Sequence, residues 1–287
     1  MIVEPNESRR HLLGEAALAW VALGARLPPR SRRLVLADVD GVITRGEGYP
    51  AELDVLQRLA AINAAAQRDP CVPAITLCTG RQAPYVELMA QLVGGFLPCI
   101  FEHGAGVFFP TAFRYELNPG LGPDHSARLA QLRAAIDGPL IKTNRAFIQP
   151  GKEASLTLYP LGDTLLPELF TLTEAVVTRV APEFNVARNV RGVEVRARGI
   201  DKGTGARRVA ELLGMPLEAM AGVGDSDPDL SYLNGIGIGF GAAPANATPD
   251  VRRAVDYVAS ASYGAGLLEI VTLVEAHNQQ QQTLTKS

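Results

Sequence analysis

Short apolar runs bounded by glycine, proline or charged residues alternate along this chain with longer stretches whose apolar residues recur every three or four positions. The first pattern is that of buried strands and the second that of amphipathic helices. Beyond Pro28-Pro29, the order is a strand over 33–38, a helix over AELDVLQRLAAINAAAQ, a strand in PAITLCT and a helix opening at Pro84, where proline suits a first turn. PCIFEHGAGVFF predicts one strand, a glycine turn and a second strand.

From about Thr111 to Arg198 the texture changes. FRYELN, KTNRAFIQP, ASLTLYP, FNVARN and VEVRAR predict strands, interleaved with helices at 125–136 and 165–180. From Gly203 the first rhythm returns, with helix GTGARRVAELLG, strand AMAGVG, a short helix over PDLSYLNG, strand IGIGF and a final helix near 264–276. The expected class is α/β: a Rossmann-like parallel-sheet core made of 33–110 and 199–278, with an α+β domain over 111–198 inserted between its halves. Residues 1–32 form an N-terminal helical extension, and the polar stretch 279–287 a flexible tail.

Composition narrows the function without naming it. With 47% hydrophobic and 20% charged residues among 287, the chain has an ordinary globular balance. A net charge of -3 argues against a nucleic-acid surface, which needs a dense basic stripe. Cys71, Cys78 and Cys99 have no metal-type spacing and predict buried thiols in a reducing, cytoplasmic setting. RRHLLGEAALAWVALGA has a faint signal-peptide look, but Glu15 interrupts its apolar run and the spacing suits an amphipathic helix better. No apolar stretch reaches the ~18 residues of a membrane span.

The candidate chemistry sits at predicted strand ends, outside which open parallel sheets bind their ligands. Asp38 and Asp40 close the first strand, Thr79-Gly80-Arg81 the second, and GDSDPD, with Asp225, Asp227 and Asp229, the strand 219–223. Lys202 opens the helix before that last strand. Carboxylates gathered in one crevice repel one another unless protons or a hard cation relieve them, and Mg2+ is the usual cation beside a phosphate. Lys202, the Thr79 hydroxyl and the backbone N–H groups after Asp38 suit phosphate oxygens. Asp38 then suits attack on phosphorus, and Asp40 protonation of the leaving oxygen followed by activation of water.

The set resembles the haloacid dehalogenase-like phosphatases, whose motifs run D-x-D-G, Ser or Thr, Lys, and an acidic G-D-x-x-x-D. Here these are Asp38-Val39-Asp40-Gly41, Thr79, Lys202 and Gly224-Asp225-Ser226-Asp227-Pro228-Asp229, in the same order. The resemblance implies that Asp38 is nucleophile and Mg2+ ligand. It also implies that Asp40 is acid/base and offers its backbone carbonyl to the ion, that Asp225 ligates it, and that Asp229 serves the metal site through water or neighbouring bonds. Gly41, Thr79, Gly80 and Arg81 fall to phosphate binding, with His103 of FEHGAGVF beside them as a substrate contact or a structural imidazole.

The large insert resembles the α/β cap of the C2-type, IIB-like subgroup, which includes phosphatases of sucrose phosphate, trehalose phosphate and mannosyl-3-phosphoglycerate. Two positions depart from the family pattern: Val42 stands where Thr is frequent, and Pro228 where many capped relatives have Asn. The implied activity is Mg2+-dependent hydrolysis of a small phosphomonoester, a sugar phosphate or phosphorylated sugar acid, through an aspartyl-phosphate. A phosphotransferase or mutase resembling the phosphomannomutases is the second reading, and a non-catalytic sugar-phosphate binding protein the third. Lys142, Arg145, Lys152, Arg188 and Arg191 make the cap basic enough to hold a second anion, or simply a solvated face.

Overall fold

The computed structural model describes residues 13–24 and 31–286. The Pro28-Pro29 break and the basic stretch before Leu13 lie outside the described residues. Helix α1 (Glu15–Gly24) is followed by β1 (Leu34–Ala37), α2 (Leu53–Ala66), β2 (Ala74–Leu77), α3 (Ala83–Leu92) and β3 (Cys99–Phe101). Strands β4 (Gly106–Phe109) and β5 (Arg114–Leu117) come next. A second group holds α4 (His125–Ile136), β6 (Ala146–Ile148), β7 (Leu156–Pro160), α5 (Leu166–Val180), β8 (Phe184–Arg188) and β9 (Val193–Ala197). The chain then returns through α6 (Lys202–Leu213), β10 (Met220–Val223), α7 (Leu230–Leu233), β11 (Phe240–Ala243), α8 (Pro249–Ala254), β12 (Tyr257–Val258) and α9 (Tyr263–Lys286).

The core sheet is parallel, in the order β12-β11-β10-β1-β2. Parallel strands buried on both faces read as unbroken apolar runs, and Leu34, Val35, Leu36 and Ala37 are all fully buried. Leu34 and Leu36 pack into one apolar cluster and Val35 and Ala37 into another, as alternation across the sheet requires. From β1 the chain moves one way to β2, and from β10 it moves the other way to β11 and β12. The reversal lies between β1 and β10, and open parallel sheets bind their ligands outside the carboxyl ends of the strands at such a point.

The second group is a four-stranded antiparallel sheet, β6-β7-β9-β8, with its own apolar cluster against α4 and α5. Leu156, Leu158, Val193 and Val195 point into that cluster. The alternate positions, Thr157, Tyr159, Glu194 and Arg196, belong to the opposite face. Thr157 and Glu194 are nevertheless buried, because the parallel core covers that face.

Three local expectations change. FRYELN, expected in the inserted unit, supplies β5, which pairs with β4 in the three-stranded sheet β3-β4-β5. IGIGF stays irregular, with Gly237 in the left-handed region (φ +81) and Gly239 N–H donating to Leu217 and Met220 carbonyls; the strand starts at Phe240. The polar tail continues α9 to Lys286, held by glutamine, a good helix former, by Gln279 donating to Glu275 one turn back, and by the Cys71 thiol donating to Gln282. Helix α1 packs on the core through Ala17 and Trp20, and Arg33 lies 4.7 Å over the Trp20 ring. All three cysteines are free and buried, and no described helix is long and apolar enough to cross a membrane.

Candidate active site

The mouth of the crevice is set by how β1 ends. After Asp38 the backbone turns back on itself: the N–H groups of Ile43 and Thr44 both donate to the Val39 carbonyl, and Gly41 N–H donates to Thr44. That turn needs φ +88 at residue 41, and a Cβ there would lie 2.2 Å from Asp225 Oδ2. Glycine is required on both counts. The expected phosphate contact from Gly41 N–H is therefore corrected, since this donor is committed to Thr44 and Gly41 matters by its absent side chain. Asn246, not anticipated from the sequence, secures the turn by donating to the Gly41 carbonyl and accepting from Tyr263 N–H.

Asp38 is 4% exposed; its Oδ1 accepts from Val39 N–H at 2.7 Å and forms an ion pair with the Lys202 ammonium at 2.9 Å. Oδ2 accepts no bond from the described residues. Lys202 is the first residue of α6, whose N-terminus is fixed by a reciprocal Asp201–Thr204 capping box. Its ammonium is buried and also donates to Asp229 Oδ1 at 2.6 Å. The other Asp229 oxygen accepts from the N–H groups of Asp225 and Ser226. Both oxygens of Asp229 are thus engaged in shaping the Asp225 loop. Asp227, expected as a solvated turn residue, is exposed.

Oxygens of Asp38, Asp225 and Asp229 lie within 4.8 Å of one another, and Asp225 Oδ1 is buried with no hydrogen-bond partner. Burial, with Asp229, Asp225 and Asp40 adding to it and Lys202 opposing, pushes the Asp38 carboxyl well above its ordinary range. Burial and then Asp229 push Asp225 up to about 7. Burial works against the Lys202 ammonium, but Asp229 and Asp38 outweigh it and hold its pKa above the ordinary lysine value. An all-oxygen donor set with an orphaned buried oxygen fits a hard divalent cation.

Thr79 follows β2, fully buried, and its Oγ1 accepts from Arg81 N–H at 3.2 Å, leaving the hydroxyl hydrogen free to donate. Arg81 reaches across to grip both oxygens of Asp40, at 2.6 and 2.8 Å, and pairs with Glu47 at 3.1 Å. Glu47 in turn accepts from the Tyr159 hydroxyl of the inserted sheet at 2.6 Å. His103, in the left-handed region (φ +56), donates its N–H to the Thr79 carbonyl and lays its ring against Gly80. Its Nε2 lies 3.1 Å from Glu194 Oε2. Burial pulls the imidazole down to about 4, so the ring is neutral at physiological pH.

The structure brings Asp38, Asp40, Thr79, Gly80, Arg81, His103, Lys202, Asp225 and Asp229 together beyond the carboxyl ends of β1, β2 and β10, beneath a roof. Glu102, buried and also left-handed (φ +45), accepts from Glu153 N–H, Ala154 N–H and the Ser155 hydroxyl. It pins the loop before β7 to the core. Lys152 on that loop is buried, while Lys142, Arg145, Arg188 and Arg191 are exposed. Glu102, Glu47, Tyr159 and Glu194 escape motif reading, and the one hint in the sequence was a charge inside the apolar alternation of VEVRA.

Comparison with known proteins follows the same lines. A family described as haloacid dehalogenase-like hydrolase matches residues 172–271, which include Lys202 and the Asp225 loop. Proteins named phosphoglycolate phosphatase, from Methanosarcina acetivorans and Pyrobaculum aerophilum, are each 26% identical, over 85% and 84% of this chain and 97% and 95% of theirs. The fold is shared with a Thermoplasma acidophilum protein (TM-score 0.64, 18% identity, 85% of this chain and 99% of that one). It is shared too with the sucrose-phosphatase of Synechocystis (TM-score 0.61, 16% identity, 85% and 98%). With the motifs in order at the ends of the strands that bear them, the chain is similar to the haloacid dehalogenase-like hydrolases, matching that family over the segment that carries Lys202 and the Asp225 loop.

Proposed function

We propose that this hydrolase is a Mg2+-dependent phosphatase that cleaves a small phosphomonoester through an aspartyl-phosphate on Asp38. The supporting observation is the buried pairing of Asp38 Oδ1 with Lys202, which leaves Asp38 Oδ2 uncommitted at the switch point of the sheet. Asp38 Oδ2 attacks phosphorus, the ester P–O bond breaks, and its electron pair leaves on the alcohol oxygen. Asp40 protonates that oxygen, then takes a proton from the water that attacks the aspartyl-phosphate, releasing phosphate and restoring Asp38. Proton transfer by Asp40 requires Arg81 to yield at least one of its two hydrogen bonds, and an anionic substrate oxygen is its natural competitor.

Asp38, Asp225 and the Asp40 carbonyl would hold Mg2+, which when bound neutralises charge on the phosphoryl oxygens. Asp229 positions Asp225 and Lys202, since both of its own oxygens are engaged. The Thr79 hydroxyl and Gly80 N–H hold the phosphate, and Lys202 shares in its charge. The inserted sheet acts as a cap that excludes bulk water during the transfer. The substrate is a small phosphorylated metabolite of the cytoplasm, a phosphorylated sugar or acid, as the names of the relatives suggest.

Phosphate release by the purified protein across a panel of phosphorylated metabolites, with Mg2+ and with EDTA, tests the reading. Selective release that EDTA abolishes is the expected result. No release from any ester by folded, Mg2+-loaded protein would overturn it.

A further inference from the structure

Above the phosphate-holding turn lies a second cluster that the proposed transfer does not use. Lys152 is 6% exposed and its ammonium donates to Thr157 Oγ1 at 2.6 Å. No described carboxylate oxygen comes within the 4.0 Å of an ion pair. An ammonium carries three N–H groups, so two of them lack a partner in a buried site, and the charge is met only from beyond ion-pair distance, by Glu194 and Glu102.

The nearby carboxylates are already engaged. Glu102 has both oxygens filled by the loop it pins. Glu194 accepts from Asn189 through Oε1, while Oε2 faces His103 at 3.1 Å and Arg196 at 3.7 Å. An unpaired buried cation is costly unless an anion completes it.

The cluster also connects through neighbouring side chains to the Thr79-Gly80 turn. Thr157, which holds Lys152, is the register partner of Glu194 on the cap sheet. Glu194 meets His103, whose ring lies so close to Gly80 that a Cβ there would be 2.2 Å from Nε2. The path from the Thr79-Gly80 turn to Lys152 is therefore one imidazole and one carboxylate long, which suits a short leaving group. His103 is neutral with Nε2 turned to the Glu194 carboxylate, so its buried, unpartnered Nδ1 is an acceptor that lines that path and leaves the anion to Lys152.

We propose that Lys152, with His103 beside it, forms a leaving-group subsite that binds a carboxylate, so that the substrate is the phosphate ester of a short hydroxy acid rather than of a neutral sugar. A sugar hydroxyl would accept a hydrogen bond from Lys152 but leave its charge without an ion pair. The inference rests on the phosphatase reading for the placement of the phosphate, and it deepens that reading by naming the chemical class of the alcohol. Lys152 is a specificity-determining residue here, since it touches neither phosphorus nor the bond that breaks.

The test compares phosphoglycolate with hydroxyethyl phosphate, in which an alcohol replaces the carboxylate. Wild-type protein is expected to favour the acid in kcat/KM by at least ~10-fold, the scale of one charge-assisted hydrogen bond in a buried site. Lys152→Met should bring that ratio near one, chiefly through KM for the acid, and Lys152→Arg should keep part of it. A wild-type ratio near one, or a ratio that survives in Lys152→Met, would overturn the subsite. Should Lys152→Met fail to fold, Lys152→Gln preserves a polar head group for the same comparison.

Calorimetric binding of both esters to Asp38→Asn protein separates the two readings, because it needs no turnover. Tighter binding of the acid that disappears on adding Lys152→Met supports the subsite even if wild-type protein releases no phosphate, a failure that would strike the phosphatase reading alone. Equal binding of acid and alcohol would overturn the subsite whatever the turnover.

Discussion

The floor and the roof of the crevice use charge in opposite ways. On the floor, Asp38, Asp225 and Asp229 crowd around a single buried lysine, and Asp225 Oδ1 is left without a partner. On the roof, Glu102 has both oxygens filled and Glu194 accepts from Asn189 and faces His103, while the ammonium of Lys152 is left short. A surplus of carboxylate calls for a cation and a surplus of ammonium for an anion. The floor is thus suited to a metal and a phosphoryl group, and the roof to whatever the phosphate is attached to.

The sharpest way to break that division is at Asp38. Asp38→Asn should lower kcat at least ~1000-fold, as removal of a nucleophile does, with near-native circular dichroism. Residual activity of more than a few percent would mean that the floor does not work through this carboxylate. Gly41→Ala should come next, because it forces a side chain into Asp225 and into a left-handed turn. Strain of this kind costs about 1–3 kcal/mol, and both urea midpoint and turnover should fall. Unchanged turnover would show that the turn tolerates a Cβ.

Smaller effects should come from the roof. Glu102→Gln replaces one carboxylate oxygen with a donor facing donors, loosening the loop that carries Lys152. KM should rise about tenfold with kcat within about threefold of wild type; the reverse pattern would place Glu102 in the floor's chemistry. The smallest effect is one of stability. Asp225 has a folded pKa of about 7, above its ordinary 3.8, so cation-free protein loses stability as pH rises between those values. A cation held by the ionised carboxylates removes that loss. The gap in Tm with and without Mg2+ should widen from pH ~5 to pH ~8; a constant gap would put the cation elsewhere.

Legibility in the sequence follows the same division. The floor could be read because each of its residues sits at the end of a strand or the start of a helix, where a local pattern such as DVDG or GDSDPD marks both the turn and the chemistry. Even there, spacing did not show that Gly41 N–H is spent on Thr44 or that Arg81 grips Asp40. The roof is written in strand alternation, and only the β7–β9 register brings Thr157 opposite Glu194 and carries Lys152 to them. Five basic cap residues looked alike in the sequence, and burial, which depends on how the cap sheet lies on the core, sets Lys152 apart from the other four. The polar end of α9 was misread because low complexity hides good helix formers that find partners on the core.

The most direct test of the floor is to catch the enzyme with the phosphoryl group attached. Rapid acid quench during turnover of a radiolabelled phosphate ester, followed by hydroxylamine treatment and peptide mapping, should give an acid-stable, hydroxylamine-labile label on the peptide that carries Asp38, and none in Asp38→Asn. Phosphate released at full rate with no labelled protein at any quench time, or a label on another residue, would contradict it.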